Sequence, residues 1–321
     1  MTDSVDGRAR RALGAVALLA VPVVLAAVPL LPVAALLGPG GLDAVPLGAP
    51  GGLLAAAAVG PVAAALLGPP LVDRRIERLP DADLDDRRAD FVADRVEALA
   101  ADVGVNAPEV TAVRVDAANV AVADGYRGSR LVVSTRLLGL PEADRDAALR
   151  HALVRIRTRQ ALLTTATLPA LAAVETAALL ATLLVGRRAD RTAADRRVNR
   201  IHGYEPDRER VPSWAYVIAG VLLWVALLPA WVPATLGDRL SVAGGRRAAD
   251  ALVSRTGTEE REGLGNAVAF ASDAAGAGDW PPLLDRLSLV SMADAETGRV
   301  RGTSRQEART RLARLRSKRA L

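Results

Sequence analysis

Four apolar blocks constrain this chain more than any other feature. They run from about Leu13 to Leu37, Gly51 to Val72, Ala161 to Gly186 and Pro212 to Leu236. Each is long enough to cross a bilayer, which takes roughly 20 mostly apolar residues. Core strands are far shorter. A length of 321 residues suggests about two globular domains, but the 51% of hydrophobic residues are not spread evenly. They gather in these Ala/Leu/Val blocks, and only 3% of the chain is aromatic. The first block is too long for a signal-peptide core and lacks a cleavage site. Pro22, Pro29 and Pro32 bend it, which membrane helices tolerate. The chain has no cysteine, so disulfides and thiolate metal sites are excluded.

Arginines in the short flanks set the expected orientation. Arg8, Arg10 and Arg11 precede the first block, residues 38–50 carry no basic residue, and Arg74, Arg75 and Arg78 follow the second. The N-terminus and residues 73–160 are therefore expected in the cytoplasm, around a membrane hairpin. Residues 187–211 conflict with that rule, because they hold eight arginines yet follow a third span. Either this loop is translocated despite its charge, or blocks three and four are re-entrant. Two true spans are the favoured expectation. Glu175 within the third block then faces the bundle, because an ionisable group in lipid is costly.

Four regions follow: a transmembrane hairpin over 1–72, a cytoplasmic α+β half over 73–160, a second hairpin over 161–236, and a helical half with a basic tail over 237–321. In the α+β half, Val92, Val96, Leu99 and Val103 recur at helical spacing, with Asp81 or Asp83 to cap the start and Gly104 to end it. "PEVTAVRV" reads as a strand, and "NVAVAD" and "RLVVST" as a hairpin around "GYRGS". Pro141 opens the next helix, whose apolar stripe is Leu149, Leu153 and Ile156. In the tail, Arg299 to Arg319 hold nine basic residues and one acid, with Ala308, Leu312 and Leu315 on one face. Such a helix suits an anionic membrane surface or plain solvation. Nucleic acid is not expected, since no aromatic stacking surface accompanies the charge.

The order of these segments, and above all "NVAVADGYRGSRLVVSTRLLGLPEADRDAALRHALVRI", resembles the HtpX-type membrane zinc metallopeptidases. Asn119, Gly125, Thr135, Leu137, Leu138, Leu149, His151, Leu153 and Ile156 carry the likeness, which spans roughly residues 10–320. The fold it implies is α+β with transmembrane helices, of the gluzincin peptidase type: mostly helical with a small β-hairpin or sheet. The departures are chemical. The family's catalytic glutamate falls on Ala152 and its second zinc histidine on Arg155. Its third ligand, a glutamate, falls on Arg246, while the aspartate that orients a ligand is kept as Asp250. Its Thr-His-Pro-Pro signature reads "SRQE" at Ser304–Glu307, with Arg311, Leu312 and Leu315 kept.

A catalytic zinc needs about three protein ligands and one open position. Here two guanidinium groups stand where a dication belongs, and the general base for water is gone. No metal or other cofactor is expected, and His151 is expected to hydrogen-bond Asp250. In the family, the strand before the zinc helix looks like an edge that pairs with extended substrate. The resemblance places that edge at Asn119, Val120, Ala121 and Val122, and strand addition needs no cleavage chemistry. The chain is thus expected in the cell membrane, multi-pass, with its soluble parts mainly cytoplasmic. The expected role is that of a non-catalytic pseudo-peptidase in contact with lipid, binding extended peptides or an active homologous peptidase. Two alternatives stay open: an active metalloendopeptidase with an unorthodox zinc site that draws in Asp250 or His202, and a membrane scaffold or transporter that uses Glu175.

Overall fold

A computed structural model describes residues 2–27, 48–82, 84–202, 213–274, 280–291 and 304–317. The chain is mostly helical, with one three-stranded sheet. In order it runs α1 Thr2–Ala27, α2 Gly48–Ile76, α3 Asp86–Val103, β1 Glu109–Val113, β2 Val120–Gly125, β3 Gly128–Ser134 and the single turn α4 Thr135–Leu138. Then follow α5 Glu142–Arg157, α6 Gln160–His202, α7 Ser213–Gly237, a π-helical turn Asp238–Val242, α8 Ala243–Ser254, α9 Thr258–Asp273, a 3-10 helix Pro282–Leu287 and α10 Ser304–Arg316.

The chain divides into two units. One comprises residues 1–19, 61–169 and 236–321, and the other residues 20–60 and 170–235. The expected boundaries at 72/73 and 160/161 fall inside the first unit, because the ends of two apolar helices contribute to its core. Val72 and Ile76 of α2 and Leu168 of α6 are buried beside Val113, Ala121, Ala123 and Val132 of the sheet.

That sheet has the order β1-β3-β2, with β1 parallel and β2 antiparallel to β3. Tyr126 and Arg127 form the tight turn between β2 and β3, and Gly128 follows at φ 123°, where a side chain is disfavoured. Both faces are covered, so the strands read as unbroken apolar runs. Val120, Val122, Leu131 and Val133 face α3, α5, α8 and α9. Ala121, Ala123 and Val132 face the opposite core with Trp280, Leu284 and Leu287.

Helix α3 starts at Asp85, whose carboxylate accepts from the Arg88 N–H at 3.0 Å, and stops at Gly104 in the left-handed conformation. The cap is thus neither Asp81 nor Asp83. Asp81 instead bridges Val113, and Asp83 lies outside the described residues. Helix α5 is buried on nearly every side, including His151, Ala152, Val154 and Arg155, so the expected three-residue stripe was too narrow. The cause is position: sheet on one side, α3, α8 and α9 on the others. A left-handed residue, Arg159 at φ 57°, joins α5 to α6.

Two helices among the described residues are long and apolar enough to cross a membrane, Gln160–Thr182 and Val217–Ser254. The second is free of charge only as far as Gly237; Asp238, Arg239, Arg246, Arg247 and Asp250 follow. Val217, Val221, Leu222 and Val225 on it are all exposed. The first block is helical from Thr2 to Ala27, and residues 28–47 lie outside the described residues. The expected loop 187–211 is helical as far as His202, a continuation of α6, and residues 203–212 are not described. Glu175 is half-buried on that helix.

Helices α2 and α6 approach closely at Gly68 and Ala166. A Cβ at Gly68 would lie 2.4 Å from the Ala166 carbonyl oxygen, so only a residue without one fits. Gly68→Ala is expected to lower stability by about 1–3 kcal/mol through overpacking against backbone. Thermal unfolding in detergent micelles measures this, against Gly128→Ala as a control for conformational strain alone.

Candidate functional site

Helices α5, α8 and α10 bring His151, Arg155, Arg246, Asp250 and Arg311 into one buried cluster of the first unit. On α5, His151 and Arg155 are one turn apart on the same face, with Ala152 beside them. On α8, Arg246 and Asp250 have the same spacing. The two helices meet where His151 Nε2 lies 3.2 Å from Asp250 Oδ1 and 3.4 Å from the Arg246 carbonyl oxygen. Both neighbours are acceptors, so the ring proton sits on Nε2. Nδ1 is then a lone pair, buried and without a partner.

Asp250 is gripped from the other side by Arg311. Arg311 Nε donates to Oδ2 at 2.9 Å and Nη2 to Oδ1 at 2.7 Å, the parallel two-bond geometry that suits guanidinium and carboxylate. Burial alone raises the carboxyl pKa of Asp250. The Arg311 charge and the hydrogen bonds from His151 and Arg311 outweigh it and hold Asp250 well below the usual carboxylate range. Burial lowers the pKa of His151, and the hydrogen bond to Asp250 offsets this only in part. The resting pair is therefore a neutral imidazole on an ionised carboxylate.

Arg155 has no carboxylate among its hydrogen-bond partners. Its Nε donates to Gln160 Oε1 at 2.8 Å, Nη1 to the carbonyls of Leu287 at 2.5 Å and Ser288 at 3.2 Å, and Nη2 to the Arg286 carbonyl at 3.0 Å. Burial, then the charges of Arg246 and Arg311, press its pKa well below the usual arginine value. The four oxygen acceptors hold its protons in place. Gln160 is anchored in turn through Nε2 to the carbonyls of Ser241 and Val242, at 3.4 and 3.3 Å, in the π-helical turn. A π turn departs from the regular i→i−4 ladder and is frequent at such sites.

The three arginines share one target. Arg246 donates to the carbonyls of Asp285 at 2.5 Å and Ser288 at 3.0 Å, and Arg311 Nη1 to that of Leu289 at 2.5 Å. With Arg155, five successive carbonyls from Asp285 to Leu289 each receive at least one guanidinium N–H. The sixth, Val290, accepts from Asn119 Nδ2 at 2.8 Å. This segment runs along the free side of β2. Leu289 N–H donates to the Val120 carbonyl at 2.8 Å, Val290 N–H to Asn119 Oδ1 at 3.3 Å, and Ala121 pairs antiparallel with Ser288. The residues named for a peptide edge, Asn119, Val120, Ala121 and Val122, are thus buried beneath the chain's own residues 288–290.

The residues at the positions that the resemblance would give to zinc do not fit that ion. Of the three ligand positions only His151 keeps a donor, its Nε2 is turned to Asp250, and guanidinium groups stand at the other two. Among the described residues no group of three His, Asp or Glu side chains is placed to hold a metal. The apolar face of the basic tail is spent inside: Ala308 and Leu315 are buried, Leu312 partly so, and Arg311 reaches Asp250. It is not the exposed amphipathic face that a membrane surface would take. Sequence reasoning passed over "WPPLLDRLSLVS", residues 280–291, although two prolines followed by five apolar residues in eight mark a short buried segment.

The sign of the pH dependence follows from these shifts. His151 binds its proton less readily when folded than at its ordinary 6.5, so the unfolded chain gains protons first and stability falls as pH drops through that value. The contribution of Asp250 is intact above its ordinary 3.8 and is lost as pH falls below it. Melting temperature in detergent is expected to fall from neutral pH downward, and His151→Leu to remove the part that begins near 6.5. Asp250→Asn leaves Arg311 buried without its counter-charge and is expected to cost about 3–5 kcal/mol at neutral pH.

Comparison of the chain with protein-family models, curated proteins and solved structures returns no match, so its functional reading rests on its own residues.

Proposed function

We propose that this chain is a membrane-embedded, non-catalytic relative of the HtpX-type zinc metallopeptidases that binds extended polypeptide without cutting it. The observation that carries the reading is the convergence of His151, Ala152 and Arg155 on α5 with Arg246 and Asp250 on α8. These positions are 95 residues apart between His151 and Arg246, yet they meet within hydrogen-bonding reach. A resemblance based on chance spacing along one helix gives no reason for the returning helix to arrive there. The order of helix, sheet, central helix, apolar helices and returning helix supports the same fold.

In this reading both apolar hairpins span the membrane, with the N-terminus, residues 73–160 and residues 237–321 in the cytoplasm. The arginine-rich flanks favour that orientation. Arg155 and Arg246 take over the place of the metal. A guanidinium presents several donors in a rigid fork, so it organises surrounding oxygens without ligand chemistry. With alanine at the base position no group activates water. Peptide recognition falls to the β2 edge, where main-chain bonding supplies affinity.

Restoring the ligands tests descent directly. Ala152→Glu, Arg155→His and Arg246→Glu together are expected to yield one tightly held zinc per chain by metal analysis. Zinc should also raise the melting temperature of the triple variant. A folded triple variant that takes up no zinc overturns the reading. Stoichiometric zinc in the unsubstituted protein, with chelator-sensitive cleavage of casein, favours the active-peptidase alternative.

A further inference from the structure

The segment Ser288–Val290 lies along the outermost strand of the sheet, extended at Ser288 and antiparallel to β2 there, the arrangement by which a bound peptide adds a strand. Most of its grip is unusual for a core segment. Arg155, Arg246, Arg311 and Asn119 hold main-chain carbonyls, not side chains. Such contacts are blind to sequence. Specificity comes from few points: Leu287 and Leu289 fill opposite cores, and Trp280 Nε1 donates to Ser288 Oγ at 2.8 Å. The strand pairing itself is one bridge long.

We propose that residues 280–291 are a tethered pseudo-ligand, occupying in cis the edge that takes extended apolar polypeptide in trans, so that binding requires this segment to leave. The inference rests on the peptide-binding reading above. Its chemistry names the partner: an unfolded segment, apolar at alternate positions, whose carbonyls face the three arginines. A clamp that reads backbone accepts either occupant. The tethered one holds the site because its effective concentration is on the order of millimolar.

The absence of cysteine makes the test clean. Ala121 and Ser288 are antiparallel partners. Opposed residues of an antiparallel pair have Cβ atoms about 4.5–5.5 Å apart, which a small backbone adjustment brings to the roughly 3.5–4.5 Å that a disulfide spans. The full-length chain carrying Ala121→Cys and Ser288→Cys, purified in detergent, is oxidised or reduced. Binding of a fluorescein-labelled synthetic peptide with the sequence of residues 280–291 is then read by anisotropy. Reduced protein is expected to bind the peptide, oxidised protein about tenfold or more weakly, and reductant to restore binding, because the cross-link makes the tethered occupant permanent. In the unsubstituted protein the same peptide should speed amide exchange at Leu289 and Val290.

Equal binding by oxidised and reduced protein overturns the gating proposal and leaves peptide binding at another edge. Failure of the two thiols to pair overturns it as well. No binding in either state, with the disulfide verified by mass, overturns both the proposal and the peptide-binding reading. In that case the zinc-restored variant still reports on descent.

Discussion

Three buried guanidinium groups bound to five successive carbonyls are the interaction on which the first unit depends. Arg155 comes from the central helix, Arg246 from the helix that returns after the apolar stretch, and Arg311 from the last helix. No two of these elements are neighbours in sequence. Their common target, residues 285–289, lies against the sheet edge, so one set of hydrogen bonds ties four distant parts of the chain together. Buried polar groups of this kind are stable only when satisfied. The segment cannot keep its carbonyls buried without the arginines, and the arginines cannot stay buried without the carbonyls.

The arginines of this cluster are held in different ways. Asp250 neutralises Arg311 with two parallel bonds, and Asp285 lies close by with one oxygen bound to the Ser291 hydroxyl. Arg155 relies on oriented carbonyls and Gln160. Guanidinium groups aimed at peptide carbonyls suit a polypeptide backbone. At Ser288 and Leu289 the same guanidinium groups hold main-chain carbonyls rather than side chains. His151 is held neutral between them, one nitrogen committed to Asp250 and the other silent.

Much of the local fold was legible in the residues. The α3 stripe, the Gly104 stop, the hairpin with its Gly128 turn and the start of α5 after Pro141 each follow from short-range chemistry. Residues whose surroundings come from far along the chain were less legible. The stripe on α5 was read as three residues, because a helix packed on all sides has no polar face to set its period. The cap of α3 moved to Asp85, since Asp81 is taken up in a bridge to Val113, a residue that comes after the helix in sequence. His151 was legible as a partner of Asp250, but Arg311 was not, because nothing in the spacing shows that α10 arrives there. The tail was read as a surface helix, since its one buried arginine looks like its exposed ones in sequence.

Composition and periodicity by themselves determined the apolar blocks, the absence of thiol chemistry, and the α+β segment between two apolar stretches. These are local properties, set by side-chain volume, backbone preference and charge. Only the tertiary structure decided that Arg155, Arg246 and Arg311 converge, that Asp250 serves both His151 and Arg311, and that residues 288–290 cover the β2 edge. The reason is physical. A buried charge is tolerated only where acceptors surround it, and those acceptors are main-chain carbonyls, which every residue carries and no sequence can single out.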